Sequence, residues 1–349
     1  MGGRRTASGR GTHQAVRDHA RGGWSVSTGS PETLLESEPV DTTDESAAEI
    51  AARSPLELFW GRLRRDKVAL IALTIVAIMV FIGIFGPLIV KLLGLPNPNT
   101  QNANLLDDFG SPTGPSSAHP FGVDERGRDV LSRVIYGTRI SLEVAFISTA
   151  LIVLLGVVLG MIAGYYRGWI DTGLSRTMDL MLAFPVLVLA VGIGVACVQG
   201  CLGGALQPGL TVVIFVIVLT SWPYMARIIR GQVLSLRERE FVEASRSLGA
   251  PDRRIIFREI LPNLVAPIIV YSTVLVPQNI LYEAALSFLG VGVDPSKPSW
   301  GAMISDATSV FQDAWWFMTF PGLALLITVL AFNIVGDGLQ DALNPRTSK

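Results

Sequence analysis

Apolar positions are sparse at the start of the chain and then gather into long runs. Residues 1 to about 55 are rich in Gly, Ser, Thr, Arg and Glu, with almost no consecutive apolar residues. Such a segment buries too little surface to offset the entropy of ordering, so it is expected to be disordered. It lacks the 7–15-residue apolar core of a signal peptide and is therefore expected to be neither cleaved nor an export signal. Beyond it lie six apolar runs: 68–90, 144–164, 180–198, 210–226, 264–282 and 317–335. A helix needs about 20 such residues to cross a bilayer, and each run reaches roughly that length. Pro185, Pro223, Pro277 and Pro321 fall inside runs, where neighbouring helices can satisfy the freed backbone groups. Gly156, Gly160 and Gly164 recur every fourth residue of the second run, a small-residue stripe suited to close helix packing.

Basic residues near the span ends orient the chain. Arg62, Arg64, Arg65 and Lys67 precede the first span, which puts the N-terminus in the cytoplasm. Six crossings then make 165–179, 227–263 and 336–349 cytoplasmic, and the middle segment is rich in arginine. The segments 199–209 and 291–316 on the other side hold one basic residue, Lys297. The first outer loop, 91–143, runs against this trend with Arg126, Arg128, Arg133 and Arg139. Asp124, Glu125 and Asp129 are interleaved among them, so a paired, folded surface is expected. The spacing of Val130, Leu131, Val134 and Ile135 suggests a short amphipathic helix on the outer face or docked against the bundle.

Composition agrees and excludes whole classes of function. Of 349 residues, 50% are hydrophobic and 16% charged, against about a quarter charged in soluble domains. The mean hydropathy is +0.46. A net charge of -1 offers no field for a polyanion, so nucleic acid is excluded as a partner. Two cysteines and three histidines leave little material for a metal cluster. No metal or cofactor is expected. The chain has no Gly-rich loop ending in Gly-Lys-Ser/Thr, no HExxH and no GxSxG.

The arginine-rich segment 227–263 is long and not of low complexity. Its run 237–248 holds strong helix formers and places Phe241, Ala244 and Leu248 on one face. Gly249 supplies a helix-ending position tolerant of positive φ. Pro251 and Asp252 suit the first turn of a second helix. That helix keeps Ile255, Ile256, Phe257 and Ile260 apolar, with Pro262 marking its end. A helix–turn–helix of this kind on a cytoplasmic loop would serve as a rigid knob for a cleft on a soluble partner.

The run "EASRSLG", followed by "ILP", resembles the EAA loop of ABC importer permeases. Glu243, Ala244, Gly249, Leu261 and Pro262 match that pattern. Ser245 replaces the second Ala, and Glu259 stands in the Ile slot with Ile260 one position late. The blocks "HPFGVDERGRDVLSRVIYGTRISL", "SFLGVGVDPSKPSWGAMI" and "FPGLALLITVLAFNIVGDGLQDALNPR" narrow the likeness. They resemble the C-type permease subunit of dipeptide/oligopeptide importers, with nickel and glutathione relatives, from about Ser54 to Arg346.

The resemblance implies an all-α polytopic membrane protein with six transmembrane helices, the type I ABC importer permease fold and a cytoplasmic coupling helix. It divides the chain into a cytoplasmic tail (1–55), a first span with its extracytoplasmic loop (56–138), a transmembrane core (139–341) and a cytoplasmic C-terminus (342–349). The implied partners are a homologous B-type permease subunit, two cytoplasmic ABC ATPase subunits and an extracytoplasmic substrate-binding protein. Peptide is the implied cargo, membrane lipid the surroundings, and the cell membrane the location, with both termini cytoplasmic. The subunit itself is non-catalytic, and the coupling contact falls on Phe241, Glu243, Ala244, Ser245, Leu248 and Gly249. A carrier driven by an ion gradient is the competing class, but it calls for paired mid-membrane charges and inverted repeats.

Single residues add further expectations. Glu283 and Glu143 are ionisable residues at spans and are candidates for the cargo pathway. For each, a structural role at the interface competes with that reading. Asp179, Asp337 and Asp341 are expected to be solvated near span ends, the last two also within reach of the ATPase. Cys197 and Cys201 lie four apart in a compartment that permits disulfides. A regular helix seldom aligns such a pair, yet Gly200 can bend the chain, so bonded and free thiols both stand. Trp300, Trp315 and Trp316 read as an interfacial belt, with a contact to the binding protein as the other reading. His119 has no partner histidine nearby.

Overall fold

The computed structural model describes residues 64, 66–108, 110–197, 201, 209–292 and 296–343. The N-terminal segment read as a tail lies outside them, as do residues 344–349. All described residues belong to one unit, Ser54–Lys349.

Helix α1 spans Lys67–Leu92, started by Asp66, whose Oδ1 accepts from the Val68 and Ala69 amides at 2.9 and 3.0 Å. Its inner face is built from small residues, Ala69, Ala72, Gly83 and Gly86, while Ile71, Ile78, Phe81, Ile84 and Leu88 stand exposed. This division suits a peripheral helix: small residues permit close backbone approach, and large ones meet hydrocarbon.

Helix α2 runs from Val130 to Tyr166, 37 residues. The short amphipathic helix expected at 130–135 is therefore not separate; it is the first part of the second span. Asp129 caps it, accepting from the Ser132 amide at 2.7 Å, and no proline intervenes before Val144. The glycine stripe faces α5 (Leu210–Leu236). A Cβ on Gly156 would sit 2.6 Å from Met225 Cβ, one on Gly160 2.6 Å from the Ala226 carbonyl oxygen, and one on Gly164 2.8 Å from Val233 Cβ. The stripe is a packing surface, as its spacing indicated.

The third run departs from a straight span. It forms α3 (Gly168–Ala183) and α4 (Val186–Ala196), bent by 89° at the break. Pro185 explains the break, because its ring drives the preceding residue out of the helical region. Phe184 accordingly adopts φ −90° and ψ 141°. Past α4, Cys197 and Cys201 form a disulfide. Residues 198–200 and 202–208 lie outside the described set.

After α5 comes the two-turn helix α6 (Glu240–Ser247), which starts three residues later than the 237–248 run. Helix α7 then extends from Asp252 through Phe288. Pro262 does not end it. Residues Ile255–Ile260 form a π-helical turn immediately ahead of Leu261, and this wider turn accommodates a proline that lacks an N–H and would crowd the carbonyl four residues back. The presumed second helix of the knob and the fifth span are thus one rod. Helix α8 (Trp300–Ala307) and helix α9 (Trp315–Leu343) complete the bundle. Among the described residues, five helices are long and apolar enough to cross a membrane, six if the bent α3–α4 pair counts as one span.

Two of the three tryptophans are core residues and not an interfacial belt. Trp300 is fully buried and donates from Nε1 to the Val134 carbonyl at 3.2 Å. Trp316 is buried and donates to the Val123 carbonyl at 3.1 Å. Both indoles find carbonyls inside a folded cap, which removes the need for the headgroup region. Trp315 alone is exposed, at 53%.

Candidate functional site

The knob is built on one buried side chain. Val242 is fully buried in the cluster that includes Val233, Ile255 and Ile260. It fixes α6 across the junction of α5 and α7. The residues around it face outward: Phe241 is 39% and Leu248 87% exposed, and Glu243, Ala244 and Gly249 are exposed. Ser245 is half-buried. The face anticipated from Phe241, Ala244 and Leu248 is thus the free face, and Val242 is the anchor that the spacing did not single out.

Helix α6 closes through paired backbone bonds. The Ala250 amide donates to the Ser245 carbonyl at 3.1 Å and the Gly249 amide to Arg246 at 2.9 Å. This is the Schellman arrangement, which requires a left-handed residue just past the helix. Gly249 supplies it with φ +75°, and its missing Cβ would meet nothing within 4 Å. Glycine is needed there for its backbone and not for space.

Polar staples hold the knob to the rest of the bundle. Tyr165 Oη donates to Asp252 Oδ1 at 2.6 Å, tying the end of α2 to the start of α7. Arg237 donates to the Tyr165 carbonyl, and its guanidinium carbon lies 5.8 Å from the Tyr165 ring centroid. Arg167 pairs with Glu238. Arg167 itself has φ +52°, an uncommon backbone state for a non-glycine residue. On α3, Asp171 accepts two bonds from Arg230, at 2.5 and 2.8 Å. Asp179 is not merely solvated; it pairs with Arg227. None of these pairings was read from the sequence, because each joins residues 48 to 87 positions apart. Asp337 and Asp341 are exposed.

The opposite end of the bundle holds a charged cap. Asp124 is fully buried; its Oδ2 accepts from Arg128 Nε at 2.6 Å and lies 3.5 Å from Arg133 Nε. Arg126 pairs with Glu125 at 3.3 Å, and His119 Nδ1 lies 2.8 Å from Asp129 Oδ2. The paired, folded surface expected here is present for three of the four arginines. Nearby, burial and the neighbouring Glu125 push the Asp306 carboxyl above the usual carboxylate range.

The two candidate pathway carboxylates have different surroundings. Glu283 is fully buried between helices. It accepts from Ser141 of α2 at 2.9 Å and from Ser287 at 2.8 Å. Glu143 is half-buried and lines a cleft of about 350 Å³ between α1 and α2.

Comparison with known proteins gives a consistent outcome. Residues 156–349 match the family described as the binding-protein-dependent transport system inner membrane component. Residues 54–112 match the N-terminal transmembrane domain of oligopeptide transport permease C. The chain is 40% identical to the dipeptide transport system permease protein DppC of Alkalihalophilus pseudofirmus, over 90% of this chain and 96% of that protein. It is 38% identical to the glutathione transport system permease protein GsiD of Pectobacterium atrosepticum, over 85% of this chain and 93% of the relative. Among solved structures, an inward-facing MetNI methionine ABC transporter aligns at 18% identity with a TM-score of 0.49, covering 61% of this chain and 96% of that one.

Proposed function

The chain belongs to the family of binding-protein-dependent transport system inner membrane components, and from that premise we propose that it is one permease subunit of an ATP-driven importer of di- or oligopeptides. It forms half of a translocation pathway with a homologous B-type subunit, receives cargo from an extracytoplasmic binding protein and docks two cytoplasmic ATPases. It performs no covalent chemistry; ATP hydrolysis belongs to those partners. Both termini lie in the cytoplasm in this reading, which the basic residues before the first span and in segment 227–263 support. Glutathione is a second cargo reading, favoured by the 38% identical glutathione permease.

The observation that carries the mechanism is the exposed face of α6 on an anchored knob that leads into a membrane-length rod. Phe241, Glu243, Ala244, Ser245, Leu248 and Gly249 make the contact with the ATPase. Because α7 continues without a loop from Asp252 to Phe288, displacement of the knob moves the rod and does not fold a hinge. The Tyr165–Asp252 and Arg167–Glu238 staples carry the same displacement to α2 and α3. Glu283 is a positioning residue here, holding α7 to α2 near the far end of the rod. ATP can drive the change only by binding one conformation better than the other.

Gly249→Trp is expected to abolish uptake of a radiolabelled dipeptide and its coupled ATPase activity while the subunit remains inserted. Gly249→Asn, which tolerates the same backbone, should retain most activity. Wild-type uptake and ATPase rates in Gly249→Trp would overturn the coupling assignment. Normal coupling without a dipeptide uptake defect in a deletion strain would overturn the cargo alone.

A further inference from the structure

Three uncharged hydrogen-bonding side chains stand together inside the spans. Tyr224 of α5 falls in the apolar run 210–226, and Tyr271 and Gln278 of α7 fall in 264–282. Tyr224 is 63% exposed, Gln278 is exposed and Tyr271 is half-buried. Among the described residues, none of the three side chains makes a hydrogen bond. They meet at a cleft of about 50 Å³ between α5 and α7. Met225 and Leu275 close its floor from the buried core, and no charged side chain lines it.

Hydrocarbon offers a carboxamide or a phenol no partner, so such a face turns toward water, cargo or protein. Position narrows the choice. Tyr271 and Gln278 lie two turns apart and share one face of α7. Tyr224 stands nine residues from Val233 on α5, and Tyr271 eleven from Ile260 on α7, about 13 and 16 Å along the two axes. Val233 and Ile260 belong to the cluster that seats Val242 and the knob. The cleft is therefore framed by the two helices that the knob joins, at a similar distance along each. A tilt of the α7 rod against α5 widens or narrows it, as suits a cargo contact and not a fixed seam between subunits.

We propose that Tyr224, Tyr271 and Gln278 form a contact for the peptide bond of the cargo, a proposal that rests on reading this chain as a peptide importer subunit. Gln278 Oε1 accepts from the amide N–H, while its Nε2 and the two tyrosine hydroxyls donate to the carbonyl oxygen. A carboxamide carries one accepting and one donating side, the same pair that a peptide bond presents. A charged terminus finds no counter-charge in the cleft, and a metal cation finds no imidazole, thiolate or carboxylate. The volume admits one small group, so the contact engages backbone and leaves cargo side chains unread.

The test uses the whole importer with its binding protein in proteoliposomes, and two radiolabelled cargos. Alanyl-alanine has the amide; its ester analogue alanyl-lactate keeps the carbonyl and lacks the N–H. The binding protein is the same throughout, so its own preference cancels when variants are compared. Gln278→Leu should lower the amide-to-ester ratio of uptake rates by about three- to tenfold, the worth of one neutral hydrogen bond. Gln278→Met, closer in length, gives the same reading if Gln278→Leu is not recovered. Tyr224→Phe combined with Tyr271→Phe removes donors to a carbonyl that both cargos share, and should slow both several-fold with the ratio kept. A small membrane-impermeant thiosulfonate should modify Gln278→Cys in the assembled complex. An unchanged ratio in the Gln278 variants, or wild-type rates in the tyrosine double variant, would overturn the proposal. So would modification of position 278 by lipid-soluble reagents only, or its burial against the second permease subunit both with and without ATP. No uptake of alanyl-alanine by the wild-type complex would instead overturn the peptide reading, and the proposal with it.

Discussion

Two glycines on neighbouring helices show how much one position's surroundings decide. Gly160 of α2 faces backbone, because an added Cβ would come within 2.6 Å of the Ala226 carbonyl oxygen. A backbone atom cannot rotate away as a side chain would, so even alanine must push the two helices apart. Gly231 of α5 has nothing within 4 Å of the same ideal atom. Gly160→Ala is expected to destabilise the purified protein by about 1–3 kcal/mol, the cost of overpacking. Gly231→Ala should be neutral or stabilising by about 0.5–1 kcal/mol through helix propensity. Thermal unfolding of the two variants checks the pair; equal melting temperatures would refute the close contact. The Gly160 packing role was readable from spacing alone, because small residues every fourth position share one helix face. Val242 was not readable that way. It sits between Phe241 and Glu243 in a helix of two turns, and its inner position is set by Val233, Ile255 and Ile260 arriving from other elements.

At the scale of elements, boundaries followed local chemistry while continuity followed packing. Asp66, Asp129 and Gly249 act where the sequence places them, as caps and as a turn. Pro185 and Pro262 carry the same local signal and have opposite outcomes: one breaks a span by 89° and the other is absorbed by a π-helical turn. The difference lies in what surrounds each. Ile255 and Ile260 flank the turn before Pro262 and are fully buried, so core packing on both sides holds that helix together. Phe184, next to Pro185, is 54% exposed, and no core restrains the bend. The knob depends on similar support. Val242→Ala removes part of a fully buried side chain, a loss of about 1–3 kcal/mol concentrated on a short helix. It should raise the rate of tryptic cleavage at Arg239 and Arg246 several-fold while the spans stay protected. Cleavage at the wild-type rate would mean that Val242 does not hold α6 in place.

For the whole molecule, the spans and their order were legible because bilayer thickness dictates the length of apolar runs. The polar contacts that bind α2, α3, α5 and α7 together were not, since nothing local marks which arginine or tyrosine meets which carboxylate. The orientation proposed from charge bias has a direct measurement. Cysteines placed at Leu248 and Ser117 occupy exposed positions at opposite ends of the bundle, and the native pair is already joined as a disulfide. A membrane-impermeant maleimide should label position 117 in intact cells and position 248 only after the membrane is opened. The reverse pattern would invert the topology.

The outward face of the knob also bears on how the cell makes this protein. Leu248 at 87%, Phe257 at 56% and Phe241 at 39% leave large apolar groups in the aqueous phase until something covers them. Such a patch marks a surface that invites association and, when left bare, aggregation and degradation. A copy synthesised without its mate is in this respect an unfinished surface that quality-control proteases can recognise. Subunit stoichiometry would then be enforced after translation, by destruction of the surplus. Pulse–chase labelling should show a shorter half-life when this chain is expressed alone than when its soluble mate is co-expressed, with Leu248→Ser lengthening the life of the orphan.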